Sequence, residues 1–130
     1  MADGGQTIVL TSETGQAGIN RIRDANVWEK VITANFDADD TTDVTLANSL
    51  NGVLRHVTVK VPNTTNAITT QLQIKDNTDN VVFDTGEQAE NDTYNYSVDI
   101  PLTGIVDFVV GVSGAVGSSK SEISVVIRGV

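Results

Sequence analysis

Four aspartates crowd one short stretch, Asp37, Asp39, Asp40 and Asp43 in DADDTTD. Several carboxylates on one loop can supply the oxygen ligands that calcium takes. The spacing is not that of an EF-hand loop, which needs glycine at its sixth position and glutamate at its twelfth. The four are candidate metal ligands whose simpler role is a solvated turn. His56 is the one histidine, flanked by Arg55 and Val57 on the polar parity of an extended stretch. Hydrolytic triads and zinc sites draw on histidine, but with a nucleophile or further ligands beside it. Two carboxylates brought a few ångströms apart would suffice for glycoside hydrolysis. A chain this short has few long loops with which to wall the cleft such an enzyme needs. Trp28, Tyr94 and Tyr96 could form a platform for a sugar ring. Yet Tyr94 and Tyr96 share parity with Val98 and Ile100, and Trp28 with Ile32 and Phe36, so all three are expected in a core. Asn63, Asn91 and Asn95 head glycosylation sequons, which matter only in a secretory pathway. The glycine-rich GVSGAVGSS (111–119) lacks the Gly-Lys pair of a phosphate-binding loop.

The elements that must carry these residues are legible as alternation. Ile68, Leu72 and Ile74 fall on one parity, with Thr69, Gln71, Gln73 and Lys75 on the other. Tyr94, Tyr96 and Val98 repeat the arrangement. A period of two places the sets on opposite faces of a strand, one in a core and one in water. Strands are expected over 6–11, 27–36, 44–47, 52–61, 67–75, 81–85, 93–100, 105–113 and 122–128, with turns every 8–14 residues. In GVLRHVTVKV, Val53, Val57, Val59 and Val61 are expected inward, and Arg55 breaks that row. Asn51-Gly52 signals a tight turn, and Pro62 and Pro101 are expected to close strands. The expected fold is all-β: an antiparallel two-sheet β-sandwich of about eight strands, of jelly-roll or immunoglobulin-like topology. The domain spans 27–130, preceded by an irregular N-terminal arm (1–26) with a possible short strand.

Composition narrows the partners. Seventeen acidic residues against eight basic give a net charge of −9. From Asp76 to Ser119 there are eight carboxylates and no lysine or arginine. Nucleic acid needs clustered bases for its phosphates, and anionic membranes do too, so neither is expected as a partner. With no cysteine, disulfides and thiolate metal sites are excluded. Met1 to Gln6 carries no basic region followed by an apolar run, so synthesis in the cytosol is expected. No cofactor and no enzymatic activity are expected.

From about residue 40 onward the chain resembles the small β-sandwich head-decoration (cement) proteins of tailed bacteriophages. The resemblance is carried by LNGVLRHVTVKVPNTTNAITTQLQIKDNTDNVVFDTG (50–86), YNYSVDIPLTGIVDFVVGVSGAVGS (94–118) and ISVVIRG (123–129), about two-thirds of the chain. It implies a structural virion protein on the outer capsid surface, made in the host cytoplasm. Such proteins, often homotrimers, bridge subunits of the major capsid protein and stabilise the shell by mass action. The arm, with Arg21 and Arg23 as its only basic residues, is the segment expected to grip a neighbour or the capsid. A carbohydrate-binding module on a virion or cell surface is the alternative.

Overall fold

The computed structural model describes residues 7–14, 27–117 and 121–130. Its ten strands are β1 (Thr7–Thr14), β2 (Trp28–Phe36), β3 (Val44–Ser49), β4 (Gly52–Val61), β5 (Thr69–Lys75), β6 (Val81–Asp84), β7 (Gln88–Ala89), β8 (Asp92–Leu102), β9 (Ile105–Val112) and β10 (Ser121–Gly129). They form two antiparallel five-stranded sheets. The first runs β1-β2-β10-β4-β8; the second runs β3-β9-β5-β6, with β7 also on β5. Apart from β1 and the two-residue β7, the chain visits the sheets first, second, first, second, second, first, second, first. That order, with these neighbours, is the jelly-roll connection of two Greek keys.

Alternation decides which side chains meet between the layers. In β2, Trp28, Ile32, Ala34 and Phe36 are buried while Glu29, Val31, Thr33 and Asn35 are half-exposed. Val106, Phe108 and Val110 of β9, and Ile123, Val125 and Ile127 of β10, do the same. β8 runs on through Pro101, which an edge strand tolerates because its outer side needs no ladder hydrogen bond. Four register shifts occur among the described strand pairs, and those in β1 and β4 bear on the inward faces of these strands. Relative to β10, Arg55 is an extra residue in β4, so Leu54 and Val57 both point inward and are fully buried. The expectation that Val53 faces inward is thereby corrected: it is half-exposed, and Leu54 takes its place. In β1, Thr11 is the extra residue between Leu10, opposite Ile32, and Ser12, opposite Val31. Leu10 packs on the core, and the shift turns Glu13 toward the same side, opposite Lys30.

β1 and β8 are the edges of the first sheet, and β1 lies over β3 of the second. Thr7 pairs with Asn35 near the end of β2 where β10 begins. Val130 exchanges two backbone hydrogen bonds with Val53, at 2.8 and 3.0 Å, at the opposite end of that sheet. No helix among the described residues is long and apolar enough to cross a membrane.

Candidate functional site

The outward parity of β5 presents Thr69, Gln71, Gln73 and Lys75. Register places Gln73 between Val109 and Asp84, and Gln71 beside Gly111. Asp84 accepts hydrogen bonds from Gln71 Nε2 at 2.7 Å, Gln73 Nε2 at 3.0 Å and the Gly86 N–H at 2.8 Å. Thr69 Oγ1 donates to Glu87 Oε1 at 3.0 Å, and the Thr69 N–H donates to Ser113 Oγ at 2.8 Å. Glycine at 111 makes room on this face: a Cβ there would collide with the Asp43 carboxylate. The result is a shallow hollow of about 90 Å³, floored by Gln71, Gln73 and Gly111 and rimmed by Asp43, Glu87 and Ser113. Among the described residues, no donor meets the Asp43 carboxylate. Amide and hydroxyl donors are committed to Asp84 and Glu87, while carboxylate oxygens remain open. Such a surface favours a donor-rich partner: an ammonium, a guanidinium or a set of hydroxyls.

The Gln71 amide, then the Gly86 N–H and the Gln73 amide, hold the Asp84 carboxyl below its usual 3.8. The Asn80 N–H and the Thr78 hydroxyl hold Asp76 low in the turn after β5. An acid depressed on folding binds protons less readily when folded than when unfolded. Its stabilisation is complete above the ordinary value and disappears as pH falls through the folded one. The urea midpoint should therefore fall as pH is lowered from about 5 through and below 3.8, and Asp84→Asn should flatten that fall. An Asp84→Asn profile parallel to wild type would contradict this.

A second cluster lies between the layers. Lys30 has the parity of Trp28 and Ile32, and its side chain is only 4% exposed. Its ammonium donates to Asn48 Oδ1 of β3 at 2.5 Å and to the Ser49 carbonyl at 2.9 Å, and pairs with Glu13 Oε2 of β1 at 2.9 Å. All three N–H donors of the buried ammonium are thus matched, the condition under which a charge is tolerated inside.

No family model matches the chain. No curated protein matches it either. Solved structures give distant likenesses. A chain of the disulfide-linked pili that form Bacillus endospore appendages aligns over 85% of this chain and 97% of its own, at 14% identity and TM-score 0.46. The family 22 carbohydrate-binding module of Clostridium thermocellum Xyn10B aligns over 99% and 88%, at 12% identity and TM-score 0.36. A chain of infectious bursal disease virus, Gx strain, aligns over 75% and 32%, at 10% identity and TM-score 0.34. Scores at this level leave the fold to be read from the sheets themselves.

The residues singled out by type and spacing do not gather into one site. Asp37 and Asp40 close a turn on each other: the Asp40 N–H reaches the Asp37 carbonyl at 3.1 Å, and the Asp37 N–H reaches Asp40 Oδ2 at 3.2 Å. Asp43 stands apart over Gly111, and Asp39 lies in the turn. Among the described residues no three Asp, Glu or His side chains are placed to hold a metal. Arg21 and Arg23 lie outside the described residues. His56 faces outward with the Thr58 hydroxyl 3.4 Å from Nδ1, opposite Ser97 in register but without a hydrogen bond to it. Trp28 is 1% exposed. Tyr96 meets Phe83 edge-on at 5.3 Å, and Tyr94 donates its hydroxyl to the Ala89 carbonyl at 2.8 Å. Burial, and secondarily Tyr94, pushes the Tyr96 phenol up. Trp28 is core, and Tyr94 and Tyr96 are half-buried with their rings packed against it, so the three do not form one exposed platform.

Sequence reasoning passed over Lys30, Asn48 and Glu13. The signal for Lys30 was present: a lysine on the apolar parity of a buried strand. Its partners were not readable, because one depends on a bulge and the other on which strand of the second sheet lies opposite.

Proposed function

We propose that this chain is a structural virion protein that decorates the outside of a tailed-phage capsid and bridges subunits of the major capsid protein. Two rigid sheets with polar outer faces fit a structural or binding role. The observation that carries the finer reading is the outer face of the second sheet. There, among the described residues, Asp43, Asp84, Glu87 and Asp107 outnumber the one ammonium, Lys75, and hydrogen bonds to Gln71, Gln73 and Thr69 fix two of the carboxylates in place. A preorganised acidic face docks a basic surface with little ordering cost. Bridging by a homotrimer places several such faces on one shell, so that modest contacts add through avidity. The role involves no substrate turnover.

Co-sedimentation with expanded empty capsids encoded by the same genome tests this. The chain should pellet with the shells, less so as salt is raised, and multi-angle scattering should return a trimer. A monomer that stays in the supernatant at low salt overturns it. The hollow at Gln71 and Gln73 favours a second reading, a carbohydrate-binding module. Saturable binding of a glycan, abolished by Gln73→Ala, would replace the first.

A further inference from the structure

Lys30, Asn48 and Glu13 form a cluster that docking through the outer face does not use. We propose that it is a self-modifying site, in which Lys30 Nζ and Asn48 Cγ join as an isopeptide bond with Glu13 as the proton carrier. Three observations converge. Nζ donates a direct hydrogen bond to Asn48 Oδ1, 2.5 Å away. A carbonyl bond adds about 1.2 Å, so Nζ is within about 3.7 Å of Cγ, near the roughly 3–3.5 Å of a reactive encounter. Glu13 Oε2 touches the same nitrogen at 2.9 Å, which is hydrogen-bond reach for proton transfer. The third is enclosure. Lys30 lies between buried Trp28 and Ile32 along β2, opposite buried Ile127 on β10, and Asn48 lies opposite buried Val106 on β9. The Lys30 nitrogen is thereby shielded from water, which strengthens charge–charge effects on it, while Asn48 is half-buried on the edge strand β3.

The step balances without any co-reactant. Glu13 takes one proton from the Lys30 ammonium, leaving an amine whose lone pair adds to Asn48 Cγ while the carbonyl π pair moves to Oδ1. The Ser49 carbonyl, accepting from Nζ at 2.9 Å, holds the amine in orientation. As the C=O re-forms, the bond from Cγ to Nδ2 breaks. Nδ2 leaves as ammonia, taking the proton held by Glu13 and the second proton shed by Nζ, so that one ammonium ion is released. Glu13 ends as it began, and nothing is oxidised or reduced. The Glu13 side chain is 38% exposed, so it also marks the opening through which ammonia departs. The product ties β2 of the first sheet to β3 of the second.

Intact-mass spectrometry of the full chain, unfolded after prolonged incubation in the folded state, tests the proposal. Wild type should be lighter than its sequence by one ammonia. A protease digest should contain a branched peptide joining residues 30 and 48. Lys30→Met and Asn48→Ala should show the full sequence mass. Glu13→Gln, altered at a partly exposed side chain, should lose ammonia about a hundredfold more slowly or worse. A wild-type chain at full mass overturns the proposal. So does an ammonia deficit that persists in Lys30→Met, because a succinimide at Asn51-Gly52 would then account for it. Glu13→Gln reacting at the wild-type rate removes Glu13 from its role. Should Lys30→Met not fold, the presence or absence of the branched peptide in wild type decides alone.

Discussion

Phe108→Ala should lower the unfolding free energy by about 3–5 kcal/mol. Phe108 is fully buried in the middle of β9, with Leu46 of β3 on one side in register and Ile74 of β5 on the other. Neighbouring strands pin those partners by their own ladders, so the space vacated by the ring cannot collapse. Both the lost transfer energy and the cavity then count. A typical domain holds only about 5–15 kcal/mol in total, so the variant should unfold at a much lower urea concentration. The internal control is the next residue. Val109 points outward beside Gln73, and Val109→Ala should change stability by about 0.5 kcal/mol or less. Equal losses at 108 and 109 would show that the alternation has been assigned to the wrong faces.

Gly129→Val should be similarly damaging, by about 3 kcal/mol or more, for the opposite reason. The site has no room rather than too much. A Cβ at 129 would run into the Val53 carbonyl oxygen and lie 2.6 Å from Trp28 Cζ2. Flexible side chains can yield, but here one obstacle is backbone and the other a ring that is 1% exposed. The backbone cannot shift freely, because Val53 and Val130 exchange two hydrogen bonds immediately alongside. Glycine is required for space, not for its φ. Thermal and urea unfolding of Gly129→Ala and Gly129→Val would check this. A graded loss, larger for valine, is expected, and stability equal to wild type in Gly129→Ala would contradict the packing.

Much of the fold could be read from residue order because burial in a two-layer protein imposes a period of two. β2, β5, β9 and β10 announce both their limits and their inward faces in this way. What alternation cannot encode is which strand lies beside which. β3 and β4 are consecutive yet belong to different sheets, so jelly-roll and immunoglobulin connections stayed equivalent until the neighbours were seen. Bulges are invisible to the same logic. Arg55 exchanged Val53 for Leu54, and Thr11 turned Glu13 inward, each by a single inserted residue. The hollow depends on Gly111 and Asp43, far apart in the chain and brought together only by the packing of the 37–43 turn against β9. The acidic cluster illustrates the converse error. Proximity along the chain placed four aspartates together, and the turn sends Asp43 to a different surface.

The placement of Thr7 and Val130 at opposite ends of the first sheet bears on how the molecule carries load. Tension entering at one and leaving at the other runs along β2 and β10 and their neighbours, so the ladders are stressed in shear. Peeling breaks one hydrogen bond after another, whereas shear demands that many give way at once. A chain held at those two points in this orientation resists rupture as a whole sheet.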